Sequence, residues 1–252
     1  MSTPPPRSTQ QENPLANILI NVLIPVVALS FLSKEEGKVW QIGPVWGMAV
    51  AIAMPLGYGL WDFIKQRKLN PFSILGFVSV LLSGGITLYV WKDDGTIDGN
   101  AALLFAIKEA LIPLVLGAAI FFSHRTATPL VRVFLYNPDL FDVKKIEQKV
   151  KEAGRDADYR KLLFTGTLLM TGSFVLSAAM NFFLALWFLG EVDTTSETAR
   201  VDYNEAVGRL TGWGFLVIGV PILAILMFGM WKLLSGLKKL TGLETEEVLL
   251  PR

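Results

Sequence analysis

Residues 101–123 read AALLFAIKEALIPLVLGAAIFFS, and Lys108 and Glu109 are the charged residues within this run. A helix needs about 20 mainly apolar residues to cross the ~30 Å hydrocarbon core of a bilayer. Without the lysine and the glutamate, the apolar stretch would shrink to Ala110–Ser123 and would be too short. We therefore predict a membrane-spanning helix over residues 101–123 that carries two ionisable side chains.

Five other segments are also long and apolar enough to cross a membrane. Hydrophobic residues make up 52% of the 252-residue chain and charged residues 18%, whereas typical soluble domains contain about 25% charged residues. The predicted fold class is therefore all-α, a polytopic membrane helix bundle without a second hydrophobic core outside the spans. Its transmembrane domain, residues 15–234, contains six predicted spans at residues 15–33, 39–61, 72–91, 101–123, 162–189 and 210–234.

The lysines and arginines are distributed unequally around these spans. Apart from Lys108, most fall in the two termini and in the linkers after the second and fourth spans. The loops on the opposite side carry five: Lys34, Lys38, Lys92, Arg200 and Arg209. Because cytoplasmic loops carry the excess of Lys and Arg, both termini are predicted to be cytoplasmic. Residues 1–14 have little apolar surface to bury and are predicted to be a disordered tail, and residues 235–252 a second tail.

The linker of residues 125–161 contains one further helical pattern. Asn137 and Pro138 are typical of a helix start, and Gly154 is typical of a helix end. Between them, apolar residues recur at helical spacing opposite a set of basic residues. The apolar residues are Leu140, Val143, Ile146 and Val150, and the basic ones are Lys144, Lys145, Lys149 and Lys151.

Two interpretations of this amphipathic helix stay open. It could lie on the anionic inner leaflet, where each lysine would add about 1 kcal/mol of attraction. It could instead be a docking surface for a cytoplasmic protein. In both cases the four lysines, together with Arg132, form a candidate set of residues for binding the membrane surface or a partner.

Polar residues within the spans are the other candidates for function. An ionisable group near the centre of a span costs about 2.5–3.5 kcal/mol on insertion scales. Adjacent helix positions point about 100° apart, so Lys108 and Glu109 are not expected to be an ideal pair. Lys108 could snorkel to the outer interface, or both residues could form a polar site that binds an anion or relays protons. Asn21, Thr87 and Asn181 are candidates to complete that site, although asparagines within spans more often join helices.

The residue composition excludes several chemistries. The chain has no cysteine and one histidine, His124, so disulfides, cysteine nucleophiles and thiolate or multi-histidine metal sites are not expected. No Walker-type phosphate loop occurs, which excludes an ATP-driven pump in a single chain. No catalytic residue, metal or cofactor is predicted, and the net charge of +1 argues against binding to nucleic acid.

Weak sequence similarity within the chain is compatible with two different pairings of the predicted spans. Residues 21–27 (NVLIPVV) resemble residues 109–115 (EALIPLV), as in an inverted repeat of three plus three helices. The alternative pairs the second span with the sixth, because Trp46-Gly47 and Trp213-Gly214 each precede a proline. Apolar helices built from few residue types also produce such matches by chance.

Four short motifs follow one another in an order that resembles a known family. They are Ser83-Gly84-Gly85-Ile86-Thr87-Leu88, Phe105-Ala106-Ile107-Lys108, Pro129-Leu130-Val131-Arg132 and Ala178-Ala179-Met180-Asn181. The pattern resembles the bacterial intracellular septation protein A family of inner-membrane-spanning proteins, as a divergent and longer branch. The resemblance implies a multi-pass protein of the bacterial inner membrane that supports septation and envelope integrity without catalysis.

These observations lead to one leading hypothesis and one alternative. The first is a non-enzymatic inner-membrane protein that organises lipid or protein partners in septation or envelope integrity. Its expected partners are the anionic inner leaflet and other envelope or division membrane proteins. The alternative is a small secondary transporter or lipid-moving protein with a polar site around Lys108 and Glu109, which discontinuous helices at Pro25 and Pro113 would suit.

Overall fold

The computed structural model describes residues 19–66, 71–126, 129–137 and 140–250, so the predicted disordered tail lies outside it. The described part is helical apart from its loops and two isolated β-bridges, Trp91–Ile97 and Phe141–Leu249. The first helix, α1, covers residues 19–32 and consists of Ile24–Val27 between two π-helical turns, Leu19–Leu23 and Ala28–Leu32. The other helices are α2 Gly43–Gln66, α3 Pro71–Val90, α4 Ala101–Ser123, α5 Val131–Phe134, α6 Val143–Glu152, α7 Asp156–Gly190, α8 Ala199–Val217, α9 Gly219–Thr241 and α10 Thr245–Val248.

Among the described residues, four helical segments are long and apolar enough to cross a membrane. They are Gly43–Trp61, Ala101–Ser123, Asp156–Gly190 and Ala199–Thr241, and they overlap the second, fourth, fifth and sixth predicted spans. The prediction of an all-helical fold is therefore confirmed, and the four segments are consistent with a membrane protein. The first predicted span corresponds to the shorter α1, and the third to α3, within which Val78–Val90 is a shorter apolar helix.

One proline coincides with a helix interruption, and two others do not. α4 continues through Pro113, and α1 runs through Pro25 between its two π-helical turns, so neither helix has the discontinuity that would suit a transporter. The interruption falls instead at Ile218, between α8 and α9. Pro221 explains it, because a proline ring clashes with the carbonyl four residues earlier, and that residue, Val217, is where α8 ends.

The chain divides into two compact units. The first comprises Met1–Ala101 and Phe188–Gly212, and the second comprises Ala102–Trp187 and Trp213–Arg252. The units do not correspond to two halves of the sequence, because a segment of the second half belongs to the first unit.

In the first unit, α2 packs against α1 and α3, and two glycines permit close approach. A Cβ atom added to Gly47 would overlap the Ser33 hydroxyl and lie 2.8 Å from the Ser33 Cα atom. A Cβ atom on Gly208 would lie 2.7 Å from the Ser30 hydroxyl. Gly47 therefore leaves no room for a side chain, Gly208 leaves room only if the Ser30 hydroxyl rotates away, and a Cβ atom on Gly57 would meet no described atom within 4 Å.

The second unit has a hydrophobic core that extends beyond the predicted spans. Residues of the spans such as Ile120, Met170 and Leu237 belong to it. Residues of the linker and the C-terminal segment also belong to it: Tyr136, Phe141, Ile146, Val150, Leu243 and Val248. The core of the spans therefore continues into the linker as one cluster, and it is not a second, separate core. We call the described residues of 130–152 and 237–250 the linker lobe.

The linker helix α6 begins later than its predicted start. Its N-cap is Asp142, whose side chain accepts a hydrogen bond from the Lys145 amide at 3.1 Å, so Asn137 is not the cap. Gly154, with a φ of +66°, follows the end of the helix as expected. Ile146 and Val150 are buried in the linker lobe. The apolar face of α6 therefore packs on protein, and the basic face is the part left for a membrane surface or a partner.

Candidate functional site

Lys108 and Glu109 form a direct ion pair within α4. The Nζ atom of Lys108 donates to Oε1 of Glu109 at 2.5 Å and lies 4.5 Å from the centre of the Phe105 ring. The expectation that adjacent helix positions would not pair well is therefore wrong. Both side chains are long enough to bend across the ~100° that separates neighbouring positions on a helix.

Burial distinguishes this pair from a snorkelling lysine. A snorkelling lysine exposes its ammonium group, whereas the Lys108 side chain is 5% exposed and that of Glu109 is 26% exposed. The carboxylate and the face of the Phe105 ring both offset part of the cost of burying the ammonium. The pair is neutral as a whole. Chemically, such a pair can transfer a proton from the ammonium to the carboxylate, or one of the two groups can exchange its partner for an ion of the same charge.

The other three candidates for this polar site have different surroundings. Asn181, in the second unit with Lys108 and Glu109, donates from Nδ2 to the Ser177 carbonyl at 2.8 Å, so its amide is used within its own helix. Thr87 and Asn21 belong to the first unit. The Thr87 hydroxyl is buried and has no hydrogen-bond partner among the described residues. The Asn21 side chain lies outside the described part of the structure.

The basic residues of the linker are divided between paired and unpaired ones. Arg132 Nη2 lies 2.8 Å from Glu147 Oε1, Lys149 Nζ lies 2.9 Å from Glu152 Oε2, and Lys145 Nζ lies 3.5 Å from Glu247 Oε1. Lys144 and Lys151 are exposed and form no ion pair with any described residue.

Two tyrosines hold the base of the linker lobe together. The hydroxyl of Tyr159, in α7, donates to the hydroxyl of Tyr136 at 3.3 Å, and the two rings meet edge to face. Burial raises the pKa of Tyr136 far above its ordinary value. Tyr136 therefore stays neutral at every physiological pH and serves as a packing and hydrogen-bonding group.

Asn204 is a buried polar residue that was not predicted, because it lies between Asp202 and Glu205, outside the predicted spans. It lies in α8 and is fully buried, and its Nδ2 atom donates to the Pro44 carbonyl at 2.8 Å and to the Ser33 hydroxyl at 3.2 Å. The missed signal was the helical spacing of small and apolar residues around it, Ala199, Tyr203, Val207 and Leu210, all buried.

Arg200 was also assigned to an outer loop, although it lies in the first turn of α8. Its guanidinium lies 5.2 Å from the centre of the Trp91 ring, and it donates to the Lys92 carbonyl. The amide of Ile97 donates to the Thr194 carbonyl at 2.8 Å. These contacts join the loop after α3 to the segment before α8 in the first unit.

The described residues contain no group of three or more His, Cys, Asp or Glu side chains able to hold a metal ion. Comparison of the chain with protein-family models, with curated proteins and with solved structures finds no match.

Proposed function

We propose that this chain is a non-enzymatic protein of the bacterial inner membrane that crosses it six times, with both termini in the cytoplasm. In this proposal it supports septation and envelope integrity by organising membrane partners or lipid through the linker lobe. The observation that carries the proposal is that the lobe has a buried core while it keeps Lys144, Lys149 and Lys151 exposed on its surface.

A folded lobe favours binding because its charges are already held in position. Ordering a flexible segment on association costs free energy, and a pre-organised surface avoids much of that cost. Lys144 and Lys151 are free of ion pairs with described residues and favour an acidic contact, such as an anionic leaflet or an acidic protein surface. Since the apolar face of α6 is used inside the lobe, the contact is electrostatic and does not depend on insertion.

The count of six spans adds α1 and α3 to the four longer segments. α3 has 20 residues and is therefore about 30 Å long, which matches the hydrocarbon core of a bilayer. The first span requires the residues that precede α1 in the sequence. An even number of spans keeps both termini on one side, in agreement with the distribution of Lys and Arg.

A small secondary transporter or lipid-moving protein is the second candidate, and the Lys108–Glu109 pair favours it. Ionisable residues inside spans are rare and often mark ion or proton pathways. The continuous course of α4 through Pro113 removes the support that a broken helix would have added. This candidate therefore rests on Lys108 and Glu109.

Complementation of a deletion strain tests the leading proposal. Changing Lys144, Lys145, Lys149 and Lys151 together to Gln should abolish rescue of the septation or envelope defect while the protein still accumulates in the membrane. The matched control changes Lys34, Lys38 and Lys92, on the opposite side of the predicted topology, and should rescue fully. Normal rescue by the four-lysine variant at native expression would contradict a role for the linker lobe.

A further inference from the structure

In the second unit, α7 and α9 run side by side in opposite directions, and two glycines of α9 fix their register. A Cβ atom added to Gly236 would lie 2.5 Å from the Cδ1 atom of Leu162, and one added to Gly229 would lie 4.0 Å from the Cδ1 atom of Leu169. The two contacts are seven residues apart in both helices. Residues of α7 and α9 can therefore be placed at common levels along the two helix axes.

Two exposed tryptophans lie at the ends of an uncharged stretch of this helix pair. The register places Trp231 of α9 level with Thr167 of α7, and Trp187 lies about 30 Å further along α7, at 1.5 Å per residue. Trp231 is 64% exposed and Trp187 is 69% exposed, and residues 167–187 contain no charged residue. Tryptophan is enriched where the ~30 Å hydrocarbon core of a bilayer meets the headgroups. The two tryptophans therefore fit the two edges of such a core. We call the level of Trp231 the lobe-side edge, because the linker lobe follows it along α9.

α4 can be placed on the same scale through two contacts with α7. The Thr171 hydroxyl donates to the Gly117 carbonyl at 3.5 Å, and the ring centres of His124 and Phe164 are 4.4 Å apart. These contacts are also seven residues apart in both segments, again in opposite directions. Arg125, the residue after His124, therefore lies about 6 Å beyond the lobe-side edge, at 1.5 Å per residue.

Four basic side chains lie just beyond the lobe-side edge. At 1.5 Å per residue, their distances from it along the helix axes are about 1.5 Å for Lys232, 6 Å for Arg125, 9 Å for Lys161 and 10.5 Å for Arg160. All four are exposed, and none forms an ion pair with any described residue. Residues 159–167 and 231–239 contain no Asp or Glu. Free cations are therefore collected in one layer in which these two segments supply no carboxylate.

The depth and the charge of this layer match the headgroup region of an anionic leaflet. A bilayer is about 40–45 Å thick with its headgroups and about 30 Å without them, so each headgroup layer is about 5–8 Å deep. Lys and Arg reach into that layer from slightly outside it, because their long apolar stems can lie along the helix while the charged ends move. Basic residues at this depth are attracted to anionic phospholipids.

We infer that Arg125, Arg160, Lys161 and Lys232 form a basic belt that binds the phosphate groups of anionic phospholipids in the leaflet next to the linker lobe. The belt surrounds one end of three helices and contacts several exchanging lipids, so it requires no pocket. The inference rests on the proposed membrane location, but it uses none of the lysines of α6. Failure of the belt would therefore leave the proposed role of the linker lobe intact, and failure of the four-lysine complementation test would leave the belt intact.

Electron spin resonance of spin-labelled lipids tests the belt, because lipids in contact with a membrane protein give a motionally restricted signal. The full-length protein is reconstituted in phosphatidylcholine with a trace of spin-labelled phosphatidylglycerol or phosphatidylcholine. The wild type should prefer phosphatidylglycerol by about two- to fivefold, since the attraction of one basic residue to an anionic surface corresponds to about fivefold in affinity. Changing Arg125, Lys161 and Lys232 together to Gln should remove this preference.

Two further variants show whether the charge at these positions is responsible. Changing Lys34, Lys38 and Lys92 to Gln removes the same number of charges from lysines that already pair with carboxylates, and it should keep the preference. Arg125→Lys combined with Lys161→Arg and Lys232→Arg should also keep it. Equal loss in the first of these variants would show that net charge alone sets the preference, and would overturn the belt.

The wild type provides a test that does not depend on the folding of a variant. Raising the salt concentration should lower its preference for phosphatidylglycerol, because exposed charges are screened. Size-exclusion elution and helical content show whether the Gln variant of the belt folds. An unchanged preference in the folded variant, or a wild-type preference that salt does not lower, would overturn the proposal.

The position of the lobe-side edge is tested with single cysteines, because the chain has none of its own. Ala157 and Val175 are both exposed residues of α7, about 15 Å outside and about 12 Å inside the edge at 1.5 Å per residue. With a water-soluble maleimide on both sides of proteoliposomes, Ala157→Cys should react and Val175→Cys should stay unlabelled. Equal labelling of the two would place the edge elsewhere and overturn the belt.

Discussion

Lys108 and Glu109 are consecutive residues whose side chains meet in an ion pair, with 2.5 Å between Nζ and Oε1. Both charges belong to one helix, so the pair does not require another helix to supply the opposite charge. A neutral pair is also easier to insert into a bilayer than a single buried charge. The arrangement explains how α4 carries a lysine that is 5% exposed within a run of apolar residues.

The first prediction is that Lys108→Leu destabilises the protein more than Lys108→Leu combined with Glu109→Leu. Removing one member of a buried ion pair leaves the other charge uncompensated and costs about 3–5 kcal/mol, whereas replacing both by apolar groups is often close to neutral. The free energy of unfolding, measured by denaturant titration in detergent micelles, should therefore fall in the single variant and largely recover in the double variant.

The same variants separate a structural pair from a transport site. If the pair is structural, the double variant should complement a deletion strain, whereas a transport site would be lost in every variant at normal protein level. Lys92→Leu, which changes an exposed lysine, is the control. A single Lys108→Leu variant with wild-type stability and full complementation would show that the pair has neither role.

The positions of several helices could be predicted because apolar run length depends on local composition. The predicted span at residues 101–123 matches α4 at both ends. The pairing of Lys108 with Glu109 was not predicted, because the angle of about 100° between neighbouring helix positions was considered without the length of the two side chains. The early start of α8 was not predicted because the acidic residues around Ala199 and Tyr203 lower the mean hydropathy there.

The linker lobe shows a second limit of sequence patterns. Ile146 and Val150 follow helical spacing, so their shared face could be predicted, but the surface that covers it could not. Tyr136 and Phe141 also cover this face, but they lie outside long helices, where no helical periodicity marks a residue as buried. Val248 belongs to the same cluster, although it is about a hundred residues after Ile146 in the chain. Such long-range contacts cannot be read from local periodicity.

The second prediction concerns the hydrogen bond between Tyr159 and Tyr136. Tyr159→Phe should lower the free energy of unfolding by about 0.5–1.5 kcal/mol, because it removes the donor to a buried hydroxyl. Combining it with Tyr136→Phe should cost less than the sum of the two single changes, since both remove the same bond. Denaturant titration of the four proteins measures this coupling, and strictly additive losses would contradict it.

The third prediction concerns topology. Reporters active only outside the cytoplasm should function when inserted between Asp93 and Asn100 or between Glu191 and Thr198, and fail when fused after Arg252. The second insertion window ends at Thr198 because α8 begins at Ala199 with buried residues, so an insertion there would disrupt packing. Activity of the fusion after Arg252 would mean an odd number of spans.

The fourth prediction concerns pH and the C-terminal helix α10. A hydrogen bond from the Glu244 amide, together with nearby Lys145, holds the pKa of Glu247 below its ordinary value of 4.5. A lowered folded-state pKa gives stability that is present above the unfolded-state pKa and is lost as the pH falls through the folded-state value. Hydrogen-exchange protection of the Leu250 amide, which donates to the Leu140 carbonyl at 2.9 Å, should therefore fall below about pH 4.5.

Two variants check the origin of that pH dependence. Glu247→Gln should lower the protection of the Leu250 amide at neutral pH and make it nearly independent of pH. Glu246→Gln, one residue earlier and also exposed, should behave as the wild type does. A wild-type pH profile in Glu247→Gln would show that another group controls the C-terminal segment.

The fifth prediction compares two glycines of α2. Gly47→Ala should lower the free energy of unfolding by about 1–3 kcal/mol, because its Cβ atom would overlap the Ser33 hydroxyl and lie 2.8 Å from the Ser33 Cα atom. Ser33 cannot easily move away, since its hydroxyl donates to the Ala28 carbonyl at 3.1 Å and accepts from Asn204 at 3.2 Å. Gly57→Ala meets no described atom within 4 Å and should be neutral or slightly stabilising through helix propensity. Denaturant titration in micelles distinguishes the two, and equal stability of both variants would show that α1 and α2 do not pack this closely.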